Sequence, residues 1–304
     1  MKKKYDVIVP PIILFLISLI FYFVISNFPN QPSNKEYSSF VADNAYQYIE
    51  TQVGFGPRIP GSNAHDSTVN FIQEELISLG WSTEVRESYY SNKHIRNIVA
   101  RLGKGKPWLI LGAHYDTRIY ADSDPIKENR ELPVAGANDG ASGVAVLLEL
   151  ARIMPHVMKN TRYNEIWLVF FDAEDNGRIG DWNWILGSRA FVSSLEDFPE
   201  AAIIVDMIGD KDLNIYMERN SDPELASEIW NIADALGYSD FFIPQYKYRI
   251  LDDHIPFREV GVKVVDIIDL DYQYWHTVED TPDKVDPKSL EIVGNTLLAW
   301  LLSK

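Results

Sequence analysis

The chain has 304 residues, of which 46% are hydrophobic and 24% are charged, the proportions of an ordinary globular protein with a sizeable core. The formal net charge of −16 argues against a nucleic-acid-binding protein, because phosphates are bound by Lys and Arg. Cysteine is absent, so the chain has neither disulfides nor a thiolate zinc site, and any metal must be held by His, Asp and Glu.

The N-terminus is predicted to be a membrane anchor. Lys2, Lys3 and Lys4 precede an uncharged and strongly apolar span over 7–28, and about 20 such residues cross the ~30 Å hydrocarbon core of a bilayer. A cleaved signal peptide, the alternative, usually has a shorter apolar core and a small-residue cleavage site. The lysines favour a cytoplasmic stub over 1–6, with the linker (29–36) and the remaining single domain (37–304) on the extracytoplasmic side.

Helices and strands are predicted to alternate along this domain. Apolar residues at helical spacing predict helices, and short continuous apolar runs rich in Val, Ile and Phe predict buried strands. Their alternation indicates an α/β fold with a doubly wound, mostly parallel sheet and helices on both faces. The predicted helices cover 44–53, 66–79, 141–154, 187–195, 223–236 and 287–302, and the predicted strands cover 82–89, 95–102, 108–112, 165–171, 201–208 and 262–268.

Polar residues follow these strands at the points where the strands end. The strand over 165–171 is followed within four residues by three carboxylates, Asp172, Glu174 and Asp175, for which a solvated acidic turn is the simple alternative explanation. A glycine-rich turn places Asp139 at a helix start, where Asp is commonly an N-cap. Open α/β sheets bind their ligands at the carboxyl ends of the strands, so these side chains are expected to meet. The remaining strand ends contribute His114, Asp116, Asp206 and His276.

This collection of side chains predicts a metal site. Carboxylates so close together repel one another when ionised, so positive charge is expected among them. Two histidines with several carboxylates and no cysteine suit zinc with three protein ligands and a fourth position open for water or substrate. An all-oxygen calcium or magnesium site would not need the histidines.

The chain resembles the zinc-dependent aminopeptidase superfamily, and within it the glutaminyl-peptide cyclotransferases (glutaminyl cyclases). The cyclase branch is indicated by Asp252 to Phe257, where peptidases usually carry Ser-Asp-His, by Trp275 directly before a histidine, and by the early loop over 55–62. The resemblance extends over about residues 45–303. The motifs of the superfamily occur in order at 114–116, 136–143, 170–175, 205–209 and 275–277.

The resemblance implies that Asp139, Asp175 and His276 bind a single zinc ion. The family usually has Glu-Glu where this chain has Glu174-Asp175. Aspartate also binds zinc, but its side chain is one methylene shorter, so the metal or the backbone must shift to keep the bond.

Catalytic and substrate-binding roles are implied in the same way. Glu174 is expected to be the general acid/base, with Asp206 and Asp252 in a hydrogen-bonded carboxyl network beside it. Trp275 is expected to form one wall of the substrate pocket. A second wall is expected from Trp182 or Trp184. The substrates implied are the N-termini of peptides or proteins, whereas the oligomeric state stays open.

Two other functions remain open at this point. A two-zinc aminopeptidase would use His114 and Asp206 for a second metal, with Asp139 bridging the two ions and Glu174 activating a water. A membrane-anchored ectodomain that has lost catalysis and only binds partners is the remote alternative, which the intact ligand set disfavours.

The histidines outside these motifs are assigned structural roles. His65, His94 and His156 have no partner evident in the sequence and are expected at the surface. His254 lies inside the Asp252 to Phe257 stretch, where it either orients Asp252 or packs the loop.

Overall fold

The computed structural model describes residues 39–304. The predicted cytoplasmic stub (1–6) and transmembrane anchor (7–28) and the predicted linker (29–36) lie outside the described residues. Within the described part, one stretch is long and apolar enough to cross a membrane, Ala141–Asn160, but 78% of its window is buried inside the protein. This stretch is therefore read as a core helix.

The described chain folds as alternating helices and strands. The helices are α1 (Ala42–Gly54), α2 (Asn63–Ser78), α3 (Ala141–Val157), α4 (Leu186–Ser193), α5 (Pro223–Ala235), α6 (Ile255–Glu259) and α7 (Pro287–Leu302). The strands are β1 (Ser82–Tyr90), β2 (Lys93–Gly103), β3 (Trp108–His114), β4 (Glu165–Phe171), β5 (Ala201–Asp206), β6 (Ile215–Met217), β7 (Phe242–Tyr246) and β8 (Lys263–Ile268). Short 3-10 helices occur at Lys127–Glu131, Met158–Asn160 and Pro282–Lys284.

A mixed, mostly parallel sheet forms the centre of the fold. Its strand order is β1-β2-β4-β3-β5-β8, in which β1, β2 and β4 pair antiparallel and β4, β3, β5 and β8 pair parallel. The register aligns His114 with Phe171 and Asp206 with Ile268. The four parallel strands consequently end at one edge of the sheet, and the residues that follow them project into the same region. The α/β prediction is confirmed.

Helices cover both faces of the sheet because its strands alternate their apolar side chains between two cores. Leu168 and Phe170 of β4 join the larger core, which also contains the buried faces of α1, α2, α3, α5 and α7. Val169 and Phe171 point to the smaller core, with Phe191 of α4 and Phe257 of α6. A run buried on both faces is typical of a central parallel strand.

Several element boundaries differ from the sequence prediction, and two short strands and one short α-helix were not predicted, in addition to the 3-10 helices. The predicted strand over 201–208 ends at Asp206, because Met207 adopts a φ of 47° that interrupts the extended chain. Strands β6 and β7 form a separate two-stranded sheet. β6 has only three residues, β7 contains a proline, and α6 has five residues, so none carries a periodic signal long enough to read.

Candidate active site

A pocket of about 230 Å³ lies at the carboxyl edge of the parallel strands. A larger groove of about 670 Å³, lined by Trp108, Trp167 and Phe191 among others, lies elsewhere, and the metal-binding groups found among residues 39–304 all lie outside it. The chemistry is therefore assigned to the smaller pocket. Its lining includes eight of the predicted site residues: Asp139, Glu174, Asp175, Trp184, Asp206, Asp252, Trp275 and His276.

Asp139, Asp175 and His276 form a buried group whose ligand atoms lie within 4.8 Å of one another. The Nε2 atom of His276 is 2.7 Å from Oδ1 of Asp175 and 3.6 Å from Oδ2 of Asp139. The Oδ2 atoms of both aspartates are buried and have no hydrogen-bond partner among the described residues. Buried carboxylate oxygens normally have partners, so these orphaned atoms fit a zinc ion bound by the three side chains.

A second buried group shares Asp139 with the first. The Nε2 atom of His114 is 3.1 Å from Oδ1 of Asp139 and 3.1 Å from Oδ1 of Asp206, and the three ligand atoms also lie within 4.8 Å. The two oxygens of Asp139 therefore face different histidines. This arrangement is compatible with one metal ion or with two.

The backbone beside these ligands is held in strained conformations. Ala173, Met207 and His276 have φ values of 53°, 47° and 57°, and a non-glycine residue in the left-handed region costs on the order of 1–3 kcal/mol. Hydrogen bonds fix one of these turns: Leu186 donates its N–H to the Ala173 carbonyl at 3.1 Å, and Ile185 donates to the Glu174 carbonyl at 3.0 Å. Strain held in this way is characteristic of functional sites.

Two buried carboxylates position the ligand-bearing backbone. Oδ1 and Oδ2 of Asp116 accept the N–H groups of Glu174 and Asp175 at 2.9 and 3.3 Å. Asp280 accepts the N–H of Asp139 at 3.1 Å and the hydroxyl of Tyr272 at 2.7 Å. Asp280 and Tyr272 were not identified from the sequence, because they lie outside the strand-end motifs and act through backbone groups.

Arg58 joins the early loop to the site. Its guanidinium is buried and donates to the carbonyls of Tyr115, Ala135 and Gly136 at 2.8, 2.9 and 2.6 Å. Burial lowers the pKa of Arg58 to about 10, an effect that the nearby carboxylate of Asp280 partly offsets. The sequence indicated this loop only by its resemblance to cyclases, without a role for the arginine.

Burial raises the proton affinity of four of the five carboxyls in the pocket, the exception being Asp139, where the nearby His114 outweighs burial and lowers the pKa. Burial raises the pKa of Glu174 and Asp252 well above the ordinary range, and neighbouring carboxylates add to the effect. For Asp175, burial and the charge of Asp139 together raise the pKa to about 6. A carboxyl with a raised pKa can hold and release a proton near neutral pH, as a general acid/base requires.

His254 connects the pocket to a buried chain of side chains. Its Nδ1 is 3.2 Å from Oδ2 of Asp266 and its Nε2 is 3.4 Å from Oε2 of Glu218. Asp252, which lines the pocket, belongs to the same buried group, because one side-chain atom each of Asp252, His254 and Asp266 lies within 4.8 Å of the others. Burial alone would lower the pKa of His254, but Asp266 and Glu218 outweigh it and raise the pKa to about 9. His254 therefore supplies positive charge to a buried group of carboxyls that includes Asp252.

Two indoles flank His276, one of the predicted zinc ligands. The ring of Trp184 lies parallel to that of His276, with 6.0 Å between centroids and 11° between planes, and the ring of Trp275 lies 3.8 Å away at 28°. Both tryptophans line the pocket. Trp182 lies outside it, against a small apolar cluster and beneath the Lys93 ammonium. Of the two alternatives considered for the second wall, the structure places Trp184 at the pocket.

The prediction that His65 lies at the surface is wrong. His65 is only 1% exposed; its Nε2 is 2.7 Å from Oδ1 of Asp172 and its Nδ1 is 2.7 Å from an Arg96 nitrogen. The first turn of α2 packs His65 against the ring of Tyr115. These partners are distant in sequence, so only the folded chain reveals them.

A mixed α/β sheet with metal-binding side chains at the carboxyl ends of its parallel strands defines the class of protein, a metal-dependent enzyme of the zinc exopeptidase fold. Residues 97–301 match the family model described as "Peptidase family M28", and the chain belongs to this family.

Similar proteins of two kinds are known. The chain is 24% identical over 267 residues to the glutaminyl-peptide cyclotransferase of Drosophila melanogaster, covering 76% of this chain and 72% of that protein. It is 34% identical to the crystal structure of Tannerella forsythia glutaminyl cyclase, with a TM-score of 0.80 and coverage of 88% and 99%. A Zn-dependent exopeptidase from Parabacteroides distasonis is 30% identical, with a TM-score of 0.82 and the same coverage. Together with the donor sets, these neighbours support zinc as the metal.

Proposed function

We propose that the protein is a zinc-dependent glutaminyl-peptide cyclotransferase, which converts the N-terminal glutamine of a peptide or protein to pyroglutamate and releases ammonia. The observation that carries the proposal is the combination in one pocket of Glu174 and Asp252 with the indoles of Trp184 and Trp275. Relatives named as cyclotransferases and cyclases support it. The non-catalytic ectodomain has no comparable support.

The pocket suits a single N-terminal residue. Asp139, Asp175 and His276 would hold the zinc ion, which supplies a Lewis acid for the side-chain amide of the glutamine. The indole of Trp184 and that of Trp275 would pack on the aliphatic part of this side chain. The bound conformation brings the α-amine close to the amide carbon, and such proximity favours an intramolecular reaction.

Glu174 is proposed to move the proton. The α-amine forms a C–N bond to the amide carbon and gives a proton to the Glu174 carboxylate, which returns it to the departing nitrogen so that ammonia leaves. Burial raises the pKa of Glu174, and the nearby carboxylates of Asp175, Asp253 and Asp206 raise it further against the opposing charge of His114. The apolar walls exclude water from the pocket, which favours cyclisation over hydrolysis.

A two-zinc aminopeptidase is the second candidate, because Asp139 faces both histidines. His114 and Asp206 would then hold the second ion, and Glu174 would activate a water. The exopeptidase among the structural neighbours favours this possibility.

Zinc stoichiometry and product analysis on the purified full-length chain distinguish the two functions. The cyclase predicts one zinc per chain, ammonia release and a blocked N-terminus on a Gln-initiated peptide. Two zinc ions and release of a free amino acid would contradict the cyclase and establish the aminopeptidase.

We also propose that residues 7–28 anchor the enzyme in a membrane, with the N-terminus in the cytoplasm. The basic residues before an uncharged apolar span support this orientation. Protease accessibility of the catalytic domain in intact cells tests the orientation.

A further inference from the structure

Arg178 lies at the solvent-facing edge of the pocket. Within the described part of the chain, it is the one arginine or lysine that lines the pocket, whose inner part carries five carboxyl residues. Arg178 is exposed, whereas Glu174 and Asp175 are only 7% and 2% exposed. Arg178 therefore belongs to the solvent-exposed part of the pocket lining, whereas the predicted metal ligands belong to its buried part.

The charge of Arg178 is not used inside the protein. Among residues 39–304, no hydrogen bond or ion pair is formed by its guanidinium, whereas Arg118 donates to the Asp175 carbonyl and pairs with Asp122. The cations that favour ionisation of Asp139 are His114, His276 and Arg118. Arg178 is therefore available to a ligand from outside.

The backbone places Arg178 in a conformation that favours glycine. Its φ is 69°, and left-handed positions are normally taken by Gly or Asn. Two hydrogen bonds of 3.1 Å fix the turn. The Arg178 N–H donates to the Trp182 carbonyl, and the side-chain amide of Asn176 donates to Oδ2 of Asp116. An arginine at a strained position that has no internal partner indicates that its side chain serves a purpose outside the fold.

The neighbouring residues at the mouth are apolar. Leu251 is 50% exposed and Trp275 is 38% exposed, and both line the pocket. If the first residue of a substrate occupies the inner part, the second residue must pass these side chains and Arg178. A carboxylate is the group that matches a guanidinium, because its two oxygens accept parallel N–H bonds.

We propose that Arg178 selects substrates with a carboxylate at the second position, so that the preferred peptides begin with Gln-Glu or Gln-Asp. This inference rests on the proposed cyclase function and adds a substrate class to it. The carboxylate comes from the side chain in longer peptides and from the C-terminus in a dipeptide. An exposed ion pair is expected to change kcat/KM by about two- to five-fold, mainly through KM, and less at high salt.

The test compares C-terminally amidated peptides that begin with Gln-Glu, Gln-Gln and Gln-Lys. The full-length enzyme is expected to prefer Gln-Glu over Gln-Gln and to disfavour Gln-Lys. Arg178→Ala should bring the kcat/KM values of the three peptides close together. Arg178→Glu should make Gln-Lys a better substrate than Gln-Glu. Comparison of the dipeptide Gln-Ala with its amide shows whether a C-terminal carboxylate is also bound.

Arg258→Ala is the matched control, since Arg258 is exposed in α6 and does not line the pocket. Like Arg178→Ala it removes one positive charge, and it should keep the wild-type order of kcat/KM among the three peptides. The inference would be overturned if the order of kcat/KM among the three peptides stayed the same in both Arg178 variants. It would also be overturned if Arg258→Ala abolished that order as well, and in either case cyclisation would remain established. Absence of cyclisation with every peptide would overturn the proposed function and this inference with it.

Discussion

Glu174 is the residue on which the proposed proton transfer depends. Its N–H is held by Asp116 and its carbonyl by Ile185, and the turn begins at the strained Ala173. The residue is 7% exposed and lines the pocket, so it reaches the pocket but is largely removed from water. Its position is therefore set by the backbone on both sides rather than by its own rotamer alone.

Glu174→Gln should lower kcat by about 10²- to 10⁴-fold, because the amide cannot accept the proton of the amine. Zinc content should stay at the wild-type level, since Glu174 is not among the predicted ligands. Ammonia release and elemental analysis measure the two quantities. Glu196→Gln, at an exposed glutamate, is the control, and a Glu174→Gln enzyme as active as this control would refute the assignment.

At the scale of elements, α3 approaches β5 very closely at its first turn. A Cβ atom on Gly143 would lie 2.5 Å from the Val205 carbonyl oxygen and 2.9 Å from Cβ of Ala113. Only glycine allows this separation of helix and sheet. The contact matters for the site because Asp139 lies two residues before the start of α3 and Asp206 ends β5.

Gly143→Ala is therefore expected to destabilise the protein by about 1–3 kcal/mol, as overpacked core substitutions do. Weaker zinc binding should accompany the loss, since the helix can relax only by moving away from the sheet. Denaturant unfolding and zinc titration measure these effects. Gly54→Ala, at the open end of α1 where a Cβ would meet nothing within 4 Å, is the control and should leave both quantities near wild type.

At the scale of the whole molecule, buried ionisable groups oppose stability at alkaline pH. Burial raises the pKa of Asp253 and of Asp269 to about 7, so the folded protein keeps protons that the unfolded chain has lost above about pH 4. Stability therefore falls as pH rises through this window. His254, with a pKa of about 9, contributes stability that is complete below about pH 6.5 and lost as pH rises through 9.

The metal-free protein is consequently expected to have a higher Tm at pH 5.5 than at pH 8.5. Asp269→Asn should reduce the difference, because an amide resembles the protonated carboxyl and does not titrate. Asp283→Asn serves as the control: the pKa of this exposed aspartate is about 2, lowered by Lys284, so it does not titrate in this range. A Tm that rises with pH in the wild-type protein would contradict the interpretation.

The sequence by itself determined the α/β class and the residues around which the site forms. Short apolar runs such as 165–171 identify buried strands because a parallel strand hides both faces from water. Polar residues directly after those runs, including His114 and Glu174, were found because the ends of parallel strands share one edge of the sheet. Both inferences depend on local sequence and a general rule of topology.

Only the tertiary structure decided the contacts between residues that are distant along the chain. Asp280 on the Asp139 backbone, Arg58 on the Gly136 loop and His65 beside Asp172 have no local signal. The choice of Trp184 over Trp182 as a pocket wall likewise depends on how one loop turns. Periodicity reports which face of an element is buried, but the partner of a buried polar group is set by where the chain returns in three dimensions.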